Sequence, residues 1–191
     1  MTDRLLRDAT ARTGFLTLGC DVPDDDAPVP MRLQMVPLGD LGALEQGLVP
    51  PSLAGRSVDG ALMPPHVASR IRRHLADAKP AHWVSTYYIL DADGWCVGGC
   101  GFKDSPSERE VEVGYAVAAS RRQRGYAGAA LRGLLRTAAD SGEVDTVQAL
   151  IAPGNVPSAR LAARAGFMAV ELVIDADGEV VVRWRCTLPA R

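Results

Sequence analysis

Arg121-Arg122-Gln123-Arg124-Gly125-Tyr126-Ala127-Gly128 is the stretch on which the reading of this chain turns. Upstream of it, residues 110–118 alternate. Val111, Val113, Tyr115 and Val117 fall on one face, with Glu110, Glu112, Gly114 and Ala116 on the other, as in a strand. Downstream, Ala127, Ala130, Leu131, Leu134, Leu135 and Ala138 recur at the spacing of an amphipathic helix. A helix N-terminus carries partial positive charge and backbone N–H groups without partners. Ser, Thr, Asp and Asn are favoured there, with acids in the first turn. Three arginines in that place are unfavourable unless an anion neutralises them. Gly125, Ala127 and Gly128 keep the backbone bare, so a large anion can come close. The pattern reads as a pyrophosphate-binding loop.

Working outward, residues 144–152 read as a mostly buried strand reached through one helix. Such a crossover makes it parallel to strand 110–118. Asn155 caps a short helix that holds Leu161 and Ala162 and ends near Gly166. Residues 167–174 and 180–188 form a hairpin around Asp175-Ala176-Asp177-Gly178. On the N-terminal side, 83–90 and 95–102 form another hairpin around Asp91-Ala92-Asp93-Gly94. Residues 31–36 suggest a first strand. Asp40 follows as an N-cap for a helix with Leu41, Leu44 and Leu48, ended by Pro50-Pro51. Pro64-Pro65 opens a second helix with Val67, Ile71 and Leu75, stopped at Lys79-Pro80. The order predicts a mixed α+β sheet, mostly antiparallel and twisted, not a doubly wound one. Residues 1–30, with a candidate strand at 13–20 and the acidic run Asp24-Asp25-Asp26, read as an N-terminal extension to a single domain over 31–191.

Bulk properties narrow the function. At 191 residues with 47% hydrophobic and 23% charged residues, the chain has the composition of a globular domain able to bury a core. A net charge of −2 gives no case for nucleic acid binding. The N-terminus lacks a signal-peptide pattern, and no run approaches the roughly 20 apolar residues of a membrane span. Cys96 and Cys100, four apart on one strand, would sit roughly 13 Å apart at about 3.3 Å per residue, too far for a disulfide. With Cys20 and Cys186 they read as reduced thiols, which points to the cytoplasm and away from a metal site.

The run Glu112-Val-Gly-Tyr-Ala-Val-Ala-Ala-Ser-Arg-Arg-Gln-Arg-Gly-Tyr-Ala127 resembles the acetyl-CoA loop of the GNAT N-acetyltransferase superfamily. That family's pattern Arg/Gln-x-x-Gly-x-Gly/Ala is met by Arg122, Gly125 and Ala127. Downstream, Asn155-x-x-Ser158-x-x-Leu161, closing at Gly166-Phe167, is similar to the family's second signature. Among its branches the chain most resembles that of the ribosomal-protein N-alanine acetyltransferases. The resemblance implies the GNAT fold, with helices on both sheet faces and the parallel pair splayed by a β-bulge. It also implies an enzyme that moves an acetyl group from acetyl-CoA to a primary amine in a ternary complex. The amine belongs to a protein N-terminus, a lysine or a small molecule.

By the same resemblance, backbone N–H groups from Gln123 through Arg124, Gly125, Tyr126, Ala127 and Gly128 cradle the pyrophosphate, and Arg122 and Arg124 add charge. The backbone of Tyr115, Ala116 and Val117 pairs with the pantetheine arm. The N–H near Val117 holds the acetyl carbonyl and its oxyanion. Asn155 and Ser158 lie beside the cofactor arm. Glu112 shares its face with Gly114 and Ala116, which leave room for a ligand. It is the candidate base, acting through water; a structural carboxylate tied to Arg or backbone is the other reading. Glu110 is the second candidate base, with a solvated strand-end acid as the stronger reading; His66, His74 and His82 read as surface residues, with acceptor contact by His66 or His74 as the lesser reading. Ala162 stands where many family members carry a tyrosine acid, so no general acid is assigned. That departure keeps a second class open, a non-catalytic acyl-CoA sensor on the same fold. A P-loop protein is disfavoured because no Gly-Lys-Ser/Thr follows the loop. The C-terminal hairpin offers a contact for a homodimer.

Overall fold

The computed structural model describes residues 29–189. Strands β1 (Met31–Met35), β2 (Thr86–Asp91), β3 (Cys96–Phe102), β4 (Glu110–Val117), β5 (Thr146–Ile151), β6 (Met168–Ile174) and β7 (Val180–Thr187) form one sheet in the order β1-β2-β3-β4-β5-β7-β6. The helices are α1 (Leu41–Glu45), α2 (Pro65–Ala76), α3 (Ala81–Val84), α4 (Tyr126–Ser141) and α5 (Val156–Arg164). Every neighbouring pair is antiparallel except β4 and β5, which the α4 crossover makes parallel.

The alternation of the strands divides the core between the two faces. Tyr87, Ile89, Val97, Val111, Val113, Val147 and Ala149 pack with Ala130, Leu131, Leu134 and Ala138 of α4 and Ala162 of α5. Tyr88 and Leu90 turn the other way, onto Leu41 and Leu44 of α1 and Ala68 and Ile71 of α2. We call these the α4 face and the α2 face. Beyond β5 the sheet ends in the β6–β7 hairpin, where Met168, Leu172, Ile174 and Val180 stay exposed.

The glycines of β3 have a packing reason. A Cβ at Gly98 would lie 2.2 Å from the Ala116 carbonyl oxygen, and one at Gly101 would lie 2.7 Å from that of Ser85. Glycine is what allows β2, β3 and β4 to come this close.

Several local expectations are corrected. Asp40 does not cap α1: it already has helical φ/ψ (−81°, −24°) and its side chain makes no cap bond. It is buried instead, accepting from the Tyr88 hydroxyl at 3.0 Å and from Ser52 Oγ. α1 stops at Glu45, so Leu48 lies outside it and 56% exposed. Residues 83 and 84 belong to the short helix α3, not to β2, because Pro80 with its fixed φ starts a helical turn. Trp83 then sits fully buried, edge-on to Phe102 at 4.7 Å between ring centroids. Cys96, Cys100 and Cys186 are free and buried. Cys20, the 13–20 strand and the Asp24–Asp26 run lie outside the described residues. Among the described residues no helix is long and apolar enough to cross a membrane.

Candidate active site

β4 and β5 pair at only three positions, Glu110↔Thr146, Val111↔Val147 and Glu112↔Gln148. Beyond Glu112 they part. β4 stays in unbroken register with β3 from Val113 to Val117, and β5 stays with β7 as far as Ile151. The opening therefore comes from divergence of two intact strands; no register shift interrupts β4 where a bulge was expected. The result is a cleft of about 180 Å³ lined by Val113, Gly114, Tyr115, Ala149, Asn155 and Ser158 among others. A larger recess of about 340 Å³ around Leu44, Leu62 and Met63 shares no lining residue with it.

Strand alternation decides which backbone groups face the gap. Lys103 N–H donates to Glu112 O and Ala118 N–H to Val97 O, so the even-numbered residues of β4 bond toward β3. The N–H and C=O groups of Val113, Tyr115 and Val117 therefore point at β5, and past Glu112 no strand is there to meet them. Ala116 turns its amide to β3 and its side chain to solvent on the α2 face.

The arginine loop closes the open end of this cleft. Residues 119–121 make a single 3-10 turn, Gln123 is left-handed at φ 61°, Gly125 is left-handed at φ 80°, and α4 starts at Tyr126. Among the described residues, the N–H groups of Gln123, Arg124 and Gly125 reach no backbone carbonyl. The first N–H groups of α4 add to these by helix geometry, and no side chain caps them. The loop is a concave run of donors at a positive helix end, which suits a pyrophosphate. Its arginines divide their work. Arg121 pairs with buried Asp91 at 3.5 Å, and Arg122 Nε donates to Val117 O at 3.2 Å. Arg124 is exposed. Tyr126 packs against the α4-face core. Gly128 lies where a Cβ would meet Leu161 at 3.3 Å, so it lets α5 approach α4. Val29, just before β1, rests on the loop: a Cβ at Gly125 would lie 2.5 Å from its Cγ2.

On the far side of the cleft Asn155 caps α5, its side-chain Oδ1 accepting from Ser158 N–H at 3.2 Å. Ser158 Oγ donates to the Tyr115 hydroxyl at 3.0 Å. Burial of that phenol raises its pKa, and the Ser158 bond opposes the shift in part. This bridge across the cleft was not legible in the sequence, since 43 residues separate its ends. Ala162 is wholly buried.

Glu112 lies on the α2 face, where its Oε1 is ion-paired with the Lys103 ammonium. The Arg70 guanidinium of α2 also senses it. Gln148, its partner across the last paired rung, keeps a buried Oε1 with no donor. Glu110 is no free solvated acid; it pairs with Arg185 of β7. His74, expected at the surface, is only 9% exposed and lies 3.6 Å from Asp104. Desolvation lowers its pKa, against the pull of that carboxylate. Sequence reading also missed Arg70 and Gln148, whose place beside Glu112 depends on how α2 crosses the sheet and on the β4–β5 register. Among the described residues no cluster of His, Cys, Asp and Glu is fit to hold a metal.

Comparison with known proteins gives this geometry a context. Residues 54–168 match the family model described as "Acetyltransferase (GNAT) domain". A sequence search of curated proteins gives no significant match. Among solved structures, the chain is similar to Mycobacterium smegmatis RimJ in complex with CoA-disulfide. That match has 21% identity and a TM-score of 0.58, covering 86% of this chain and 88% of that one. It is also similar to RimL, a ribosomal L7/L12 alpha-N-protein acetyltransferase, at 17% identity and TM-score 0.61, covering 87% and 98%. A spermidine N-acetyltransferase chimera of Vibrio cholerae SpeG and hSSAT matches at 14% identity and TM-score 0.60, covering 83% and 95%. At these identities the structures share a fold with this chain.

Proposed function

The chain belongs to the GNAT acetyltransferase family, and from that premise we propose that it transfers the acetyl group of acetyl-CoA to a primary amine by direct attack in a ternary complex. One observation carries the reading: the parallel strands part just where a backbone-bare, donor-rich loop closes the gap. The loop from Gln123 to Gly128 takes the pyrophosphate, with Arg122 and Arg124 adding positive charge. The pantetheine amides then lie along Tyr115 and Val117, whose backbone groups point into the gap, with Asn155 and Ser158 on the opposite wall.

In the reaction the amine nitrogen forms a bond to the thioester carbonyl carbon. The carbonyl oxygen becomes an oxyanion held by the Val117 N–H. The amine proton passes through water to Glu112, and the C–S bond breaks to release CoA as its thiol or thiolate. The amine approaches from the α2 face, because α4 and α5 flank the cleft on the other side, and Gly114 and Ala116 leave space beside Glu112.

The test is release of CoA thiol from acetyl-CoA across a panel of amines, with calorimetric acetyl-CoA binding alongside. Turnover with any amine, and its loss in Glu112→Gln with donor affinity retained, supports the assignment. Ala162 favours the alternative of an acyl-CoA sensor, and tight binding with no turnover on any amine would select it.

A further inference from the structure

Resting on that reading, we infer that the acceptor carries a carboxylate close to its reactive amine, and that Arg70 of α2 is the residue that selects it. Two buried polar atoms near the amine approach lack a hydrogen-bond partner among the described residues: Gln148 Oε1 and Arg70 Nε. Together they form the negative image of a ligand. The first is an acceptor on the last rung of the parallel pair, beside Glu112 with its Lys103 ion pair, and it asks for an N–H donor. The second is a donor on a cation, and it asks for an oxygen.

The charges around it point the same way. Glu110 is taken by Arg185, Glu112 is in contact with Lys103, and Asp104 accepts from Lys79 at 2.6 and 2.8 Å. Each of these three acids already has its own cation, and among the described residues Arg70 is left without a bonded anion, with Arg73 further along α2. Burial lowers the Arg70 pKa, Glu112 and Asp104 only partly compensate, and Arg73 adds to the drop. A half-buried guanidinium without a bonded anion is stabilised by a ligand that brings one.

A primary amine with a carboxylate nearby satisfies both atoms. Its N–H groups meet Gln148 and, through water, Glu112, and its carboxylate meets Arg70. A polyamine offers donors only. It leaves Arg70 Nε unpartnered and sets a second ammonium near the guanidinium, so it is rejected. One unpaired buried donor corresponds to roughly ten- to hundred-fold in affinity. The chemistry is shared by free amino acids and by peptides with an acidic residue next to the N-terminus.

The experiment compares acceptors that differ only in the carboxylate. Alanine is set against alaninamide, and C-terminally amidated tetrapeptides with Asp at the second position are set against those with Asn. Spermidine is the cationic arm. Each is measured for thiol release and, separately, for its shift of Tm in the presence of CoA. At least one carboxylated acceptor is expected to exceed its amide partner roughly ten-fold or more in kcat/KM, through KM. The same acceptor should raise Tm where the amide does not. Whether alanine or the Asp peptide shows the effect identifies the source. Arg70→Gln should bring the carboxylated acceptor down to the level of its amide, and Arg70→Lys should keep part of the preference; calorimetric acetyl-CoA binding verifies that each variant is folded. Equal or better use of the amides or of spermidine by the unmutated protein overturns the inference without any variant. So does a preference that survives Arg70→Gln. Carboxylate-dependent binding with no turnover would sink the enzymatic reading and leave this inference standing.

Discussion

Gly125→Ala separates the donor loop from the rest of the molecule. Gly125 sits at φ 80°, where an L-residue costs about 1–2 kcal/mol. The new methyl would also stand 2.5 Å from Val29 Cγ2, a terminal methyl that can rotate away at small further cost. For a chain of this length, about 1–2 kcal/mol corresponds to a Tm lower by about 2–8 °C. Gly142 is the control. It has φ 68° at the C-cap of α4 with nothing within 4 Å of its Cβ position, so Gly142→Ala carries the backbone cost alone. The two variants should melt within a few degrees of each other. Only Gly125→Ala adds a side chain to the loop whose Gln123 to Gly125 N–H groups reach no backbone carbonyl among the described residues. Losing one charge-assisted bond there is worth about 1.5–3 kcal/mol, roughly a ten- to hundred-fold rise in the acetyl-CoA Kd. Isothermal calorimetry and thermal melts on both variants decide it. Wild-type acetyl-CoA affinity in Gly125→Ala, or equal losses in the two variants, refutes the loop as the pyrophosphate site.

Three further outcomes are expected. Gln123 is left-handed at φ 61°, so Gln123→Gly should relieve strain and raise Tm by about 1–3 °C, net of the larger backbone entropy of glycine; a lower Tm would contradict it. Asn155→Ala removes the α5 cap and should destabilise by about 1 kcal/mol in urea unfolding. Because Ser158 then loses its anchor, the KM for acetyl-CoA should rise as well. Alkaline pH should weaken the fold: burial pushes Cys96 up to about 11 and Cys100 up to about 12. Between the ordinary thiol value and those values the unfolded chain has lost protons that the native protein keeps, so stability falls as pH rises. It is fully present below about pH 8.5 and declines above it, with a slope of at most about 3 kcal/mol per pH unit for the two thiols. Urea unfolding at pH 8, 9 and 10 measures that slope, and Cys100→Ala should reduce it. A flat profile would show that these thiols are not held protonated.

What could be read in the chain followed how local each signal was. The α4 helix, its Gly142 stop, the Asn155 cap and the C-terminal hairpin rest on contacts within a few residues and appear where sequence placed them; the first hairpin appears too, with its leading strand starting at Thr86 instead of 83. The donor loop was legible because its oddity is local as well: cations and glycine where a helix start prefers acids. Asp40 misled because a capping residue type was drawn instead to Tyr88, 48 positions away. Trp83 looked like strand because aromatic residues favour strands, while Pro80 decided the local backbone. The α2-face chemistry was hidden for the same reason as Asp40. Glu112 and Gln148 become neighbours through strand register, and Arg70 comes within electrostatic reach of Glu112 through helix placement, neither of which periodicity reports. His74 did carry a positional signal, seven residues after Val67 and three after Ile71 on the apolar stripe of α2, but its polar side chain masked it.

The three-rung join between β4 and β5 also bears on how the molecule holds together. On one side of it lies a four-stranded half, β1 to β4; on the other lies β5 with the C-terminal hairpin. Helices bridge the halves, but the sheet itself is nearly cut in two along the line where the donor would bind. A ligand that bonds to both lips of that cut acts as a missing strand, so donor binding and mechanical integrity become one property. Pulled from its two ends, the molecule should part first along this seam, and bound CoA should raise the force at which it does.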